Sequence, residues 1–172
     1  MKSKSFLLKS VYPVFGFLLL TSIFSACKKD TPAQKTGAYE MSFKVNGSLV
    51  DYKTQESLIA AFSQTGSQYL LLISGYDANS NMSLQIYDDK QIGEMSYSGY
   101  DVSGSALVGV LMGYQDTSGT LYTQLSLSSD MVINISSITT DAVSGTFSGT
   151  LQSTGKADIS ITEGKFTVWR AN

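Results

Sequence analysis

From Tyr39 to the C-terminus, no stretch of this chain holds a helical apolar period through three capped turns. Short runs rich in Val, Ile, Leu, Tyr, Phe and Thr are broken instead by Gly, Asn, Asp and Ser. That is the rhythm of antiparallel strands and turns. Met41, Phe43 and Val45 alternate with Glu40, Ser42 and Lys44, and residues 48–53 return as a second strand. Asn46-Gly47 between them suits a type I′ turn, whose two central residues both need positive φ. Further strands are expected at 58–63, 69–76, 82–87, 94–98, 106–114, 121–127, 131–135, 145–152 and 159–168. Only the segment 55–62 is allowed a helical turn. In the last strand Ile159 and Ile161 share one parity, and Phe166 and Val168 the other. A bulge or bend at Glu163-Gly164 would reconcile them. Short strands at this spacing predict an all-β, mostly antiparallel single domain over residues 39–172, a β-sandwich, with a closed or partly closed barrel as runner-up. No repeat of fixed period is present.

The N-terminus carries an address. Lys2, Lys4 and Lys9 precede a mostly apolar run from Val11 to Phe24, followed by small Ser25 and Ala26 and then Cys27. A basic start, an apolar middle and a small-residue exit mark a secretory signal, here residues 1–26. The run is broken by Pro13 and Gly16 and is shorter than the ~20 apolar residues of a spanning helix. Cys27 is the sole cysteine. As the first mature residue its sulfur can take a diacylglyceryl group, with palmitate-type chains holding the protein to a membrane. Each buried methylene contributes ~0.8 kcal/mol, so two or more chains hold far better than one. Residues 27–38 are then the lipidated cysteine and a flexible polar tether.

Without residues 1–26, nine basic residues face fourteen acidic ones, a balance of −5. That argues against nucleic acid and against an electrostatic grip on anionic lipid. No cysteine is left for a disulfide, and the chain has no histidine. The usual general base and the commonest metal ligand are thus missing. No cofactor is expected.

Phe43-Lys44-Val45-Asn46-Gly47, Val143-Ser144-Gly145-Thr146-Phe147 and Ile161-Thr162-Glu163-Gly164-Lys165-Phe166 carry a resemblance to short Bacteroidota lipoproteins of unassigned function. The start Cys27-Lys28-Lys29-Asp30 is similar to theirs as well. The resemblance covers most of residues 39–172. It implies an all-β envelope lipoprotein bound for the outer membrane, either displayed on the cell surface or facing the periplasm. It implies no catalytic residue.

Several groups are candidates for a site. Tyr76, Tyr87, Tyr97, Tyr100 and Tyr114, with Trp169, could form an aromatic face that stacks on a glycan or meets a partner protein, although tyrosine is also ordinary strand chemistry. Tyr69–Ile73 and Ala106–Met112 are apolar on both faces, so both faces need cover. A crossing loop or the 55–62 segment would supply it. The alternative is an apolar groove or cavity at Leu71, Ile73, Val108 and Val110, with Gly109 admitting a close neighbour. Asp77, Asn79, Asn81 and Asp88 fall at calcium-loop positions, but Met82 stands where glycine is wanted and the flanks are strands. Ser153–Lys156 spells S-x-x-K without its partner motifs and is read as a turn. Asp88, Asp89, Glu94 and Asp101 offer carboxylates for a hydrolase, which the absence of histidine disfavours. The expected role is binding or structural rather than enzymatic: contact with glycan or protein first, an apolar-ligand carrier second.

Overall fold

The computed structural model describes residues 39–103, 106–124 and 130–171. Its strands are β1 (Glu40–Val45), β2 (Ser48–Tyr52), β3 (Leu58–Thr65), β4 (Gln68–Tyr76), β5 (Asn81–Asp88) and β6 (Ser96–Ser98). They continue as β7 (Tyr100–Ser103), β8 (Ala106–Gln115), β9 (Leu121–Thr123), β10 (Val132–Ile138), β11 (Ala142–Leu151) and β12 (Ile159–Ala171). Among the described residues the one helical piece is a 3-10 turn at Gln55–Ser57. The expected signal, Cys27 and the expected tether up to residue 38 lie outside the described residues, as do positions 125–127 of the strand expected at 121–127.

The local rules hold where the chain turns. Asn46 and Gly47 take φ of 49° and 85°, and β1 pairs with β2 across them. Glu163 takes φ of 52°, and the registers of β12 with β1 and with β11 both slip nearby. That bulge lets Ile159 and Ile161 share the core with Phe166 and Val168, all at most 6% exposed. On β11, Val143, Phe147 and Leu151 are buried on one side, while Thr146 and Ser148 face solvent.

Hydrogen-bonded neighbours run β6-β10-β11-β12-β3-β4-β5-β8-β7, with β1 and β2 branching from β12 and β9 from β8. Every pairing is antiparallel except β12 with β3, which touch over Trp169–Ala171 and Ile59–Ala61. The sheet is not closed, yet it curls so that its halves face each other. Phe43 on β1 meets the ring of Tyr114 on β8 at 5.7 Å and that of Phe147 on β11 at 5.6 Å. The result is the expected sandwich with one continuous core. The two end strands of the path, β6 and β7, are separated by Gly99 alone. One bent segment therefore covers both terminal edges, which limits the unpaired backbone that an open sheet exposes. Thr123 and Gln152 add another seam by exchanging backbone hydrogen bonds of 2.8 Å in both directions.

One expectation is corrected here. The segment 55–62 does not cross the sheet to cover β4. After its single turn it becomes β3 and joins β4 edge to edge, from Leu58↔Gly75 to Thr65↔Gln68. The outward residues Leu70, Leu72 and Leu111 are half-buried by their neighbours in the sheet rather than covered by a crossing segment.

Candidate functional site

Tyr76, at the end of β4, is the one ring of the five tyrosines that stands well out, at 49% exposed. It lies beside an open cleft of about 590 Å³ at the loop end of β4, β5 and β8. That volume is in the usual range for small-ligand sites. The sheet builds the floor: Tyr76 pairs with Asn81 on β5, and Asn81 with Gln115 on β8. Successive cross-strand partners point to one face, so ring and amides sit side by side. Asn81 Nδ2 donates to Gln115 Oε1 at 2.7 Å, which fixes both amides. Tyr76 Oη donates to the Glu56 carbonyl at 3.4 Å.

The loops 77–80 and 116–120 form the walls, and both are locked by aspartate. Asp77 Oδ1 accepts from the backbone N–H of Asn79 and of Ser80, each at 2.8 Å. Asp116 Oδ1 accepts from Ser118 Oγ at 2.7 Å and from the N–H of Ser118 and Thr120 at 2.8 and 2.9 Å. These donors hold both carboxyls below the usual aspartate range: the Asn79 N–H foremost for Asp77, the Ser118 hydroxyl foremost for Asp116. The first loop is also pinned from beneath. Ser80 is buried, and its Oγ shares a 2.9 Å hydrogen bond with Tyr52 Oη. Burial pushes the phenol pKa of Tyr114 up, while a hydrogen bond with Ser80 partly offsets it.

The five-tyrosine face does not exist as one surface. Tyr97 and Tyr114 are 6% exposed and belong to the core. Tyr97 Oη accepts from the Gly93 N–H at 2.8 Å and donates to the Gly93 carbonyl at 3.1 Å, closing a tight corner. Tyr114 packs on Phe43 because β8 presents its even-numbered residues inward. Tyr87 and Tyr100 are half-buried and flank Gly109 across β8. Tyr87 shares the outer face with Tyr76, but six positions of β4 separate them, roughly 20 Å along the strand. Trp169 is 37% exposed, at the far end of β12.

The apolar groove is corrected as well. Leu71, Ile73 and Val110 are fully buried and are filled against other core side chains, while Val108 is half-buried. The close neighbour at Gly109 is the chain itself. A Cβ there would meet the Gly99 carbonyl and Tyr100 Cα. The calcium spacing is a hairpin: Asp77 serves its own turn, Asn81 serves Gln115, and Asp88 lies at the other end of β5. Asp88 Oδ1 accepts from the Lys90 N–H, and Glu94 Oε1 from the Ile138 N–H, so both hold backbone in place. Asp101 is exposed on β7. Ser153–Lys156 is a turn, with the Lys156 N–H donating to the Ser153 carbonyl at 3.1 Å.

Gln115, Asp116 and Ser80 carry no local mark of a site in the sequence. Asp116-Thr117-Ser118-Gly119 reads there only as a hairpin turn, and the Asn81–Gln115 pair depends on a register between strands distant in sequence. No protein-family model matches this chain, no curated protein matches it, and no solved structure matches it.

Proposed function

We propose that this chain is a lipid-anchored lipoprotein of the bacterial outer membrane whose β domain binds glycan in the cleft beside Tyr76. The observation that carries the proposal is the composition of that cleft on a rigid floor. An exposed ring stands next to fixed side-chain amides, loop hydroxyls and two ionised carboxylates. A sugar presents apolar C–H faces and many hydroxyls, so a ring to stack on and a dense set of acceptors and donors suit it. Side chains already held by hydrogen bonds lose little entropy on binding. The same geometry favours binding over hydrolysis. A general acid needs a raised pKa, whereas Asp77 and Asp116 are held low by their own loops. The signal, the tether and Cys27 support the envelope address, with the domain on the surface or facing the periplasm.

The test is retention of the full chain on immobilised envelope polysaccharide. Tyr76→Ala and Gln115→Ala should each weaken binding by about tenfold, equivalent to ~1.4 kcal/mol, without lowering Tm. Tyr87→Phe, on the same face but remote from the cleft, should bind as the wild type does. Wild-type affinity in Tyr76→Ala would defeat the proposal.

A further inference from the structure

At the opposite end of β4 a second cavity, of about 410 Å³, opens between the β3–β4 hairpin and the ends of β10 and β12. Its character differs from that of the Tyr76 cleft. Phe62, Ile92 and Ile138 give it an apolar wall, and Phe62 and Ile138 lean directly on the main core. Gln64 and Gln91 supply amides at its lining, and among the described residues no acidic side chain lines it.

The cation is Arg170, the sole arginine in the sequence. Its guanidinium lies over the Phe62 ring at 4.8 Å from the centroid. One nitrogen, Nη1, donates to the Thr139 carbonyl at 2.9 Å. Stacking and that bond fix the plane of the fork, and among the described residues no other side-chain hydrogen bond engages it. A chain with an acidic surplus thus places a guanidinium, stacked on a ring, beside an apolar wall.

We infer that this cavity is a binding site for a small amphipathic carboxylate. The carboxylate takes the free side of the Arg170 fork in paired charge-assisted hydrogen bonds. The aryl or alkyl body lies against Phe62 and Ile92. A single guanidinium matches a single negative charge, and the acidic surplus of the domain works against ligands of higher charge. The Tyr76 cleft, with its two carboxylates, would repel the same ligand. The two sites therefore take different chemistry, and this inference does not depend on the glycan proposal.

The experiment uses the full chain in nonionic micelles and two probes of matched shape, phenylacetate and its neutral counterpart phenylacetamide. Saturation-transfer NMR and thermal shift read binding. Phenylacetate should bind at least about tenfold more tightly than the amide. Added salt should weaken only phenylacetate. Arg170→Gln should erase the difference between the probes, and Arg170→Lys should restore only part of it, because an ammonium lacks the planar fork. Equal binding of the two probes, or no binding of phenylacetate by the wild type, would overturn the inference. That comparison is made on the wild type, so it stands even if a variant at Arg170 folds poorly.

Discussion

The side-chain amide of Gln68 stands in for a strand beside Leu107. Its Oε1 accepts from the Leu107 N–H at 2.7 Å, and its Nε2 donates to the Leu107 carbonyl at 2.8 Å. The same nitrogen reaches the Asp88 carbonyl at 3.0 Å. One residue thus completes the hydrogen bonding of β8 just past the last β5–β8 pair, Tyr87↔Gly109. Gln68→Ala would leave those backbone groups without partners. An unsatisfied buried group costs about 1–3 kcal/mol, and this site is only partly buried. Denaturant unfolding should show a loss of roughly 1–2 kcal/mol at unchanged m. Gln68→Glu should recover only part of it, since a carboxylate accepts from the Leu107 N–H but cannot donate to its carbonyl.

Phe147 joins the two halves of the sandwich. It is 3% exposed, with ring contacts to Phe43 at 5.6 Å and Phe166 at 6.2 Å. Truncating a buried aromatic typically costs 3–5 kcal/mol. Phe147→Ala should fall in that range by chemical denaturation of the full chain, and Phe147→Leu well below it. A loss under about 1 kcal/mol would mean that the ring contributes little to the core.

How much of this was legible in the sequence depends on which contacts fix each residue. On β11 the burial follows from alternation within the strand, so Phe147 and Leu151 were readable. The parity switch between Ile161 and Phe166 likewise announced the bulge at Glu163. β7 leaves no local mark, because a glycine after Ser98 suits a strand end as well as the bend between two strands that Gly99 makes. The tyrosines could not be sorted, since Tyr114 and Tyr76 suit a strand equally well and only the packing of β1 onto β8 buries the first. The Asn81–Gln115 pair and the Arg170–Phe62 stack join residues whose proximity no local pattern encodes.

Acid should loosen the walls of the Tyr76 cleft. Asp77 and Asp116 have folded pKa values below the ordinary 3.8. For a depressed carboxyl the stabilisation is fully present above the unfolded pKa and is lost as pH falls through the folded one. The loops 77–80 and 116–120 should therefore stay ordered from neutral pH down to about pH 4, then gain amide-exchange rate below it. Carboxyl carbon shifts followed by NMR should titrate late for both residues. Asp116→Asn should remove the acid-dependent step from loop 116–120 while leaving that of loop 77–80 in place.

The proposed lipid anchor makes its own prediction, on residues outside the described structure. Ser25 and Ala26 precede Cys27, and Lys28, Lys29 and Asp30 follow at once. In the proposed processing, small residues let the backbone enter a peptidase cleft, and the thiol is the acceptor for a diacylglyceryl group. Mass spectrometry of the mature wild-type protein should find an acylated Cys27 as the first residue. Cys27→Ala removes the acceptor sulfur, so the chain should persist as an uncut precursor that still carries residues 1–26. Two or more acyl chains, at ~0.8 kcal/mol per buried methylene, give stable membrane anchoring where one chain binds only reversibly. The wild-type protein should therefore resist extraction from membranes by high salt and be released by detergent. A mature wild-type terminus without lipid would show that Cys27 is not the anchor.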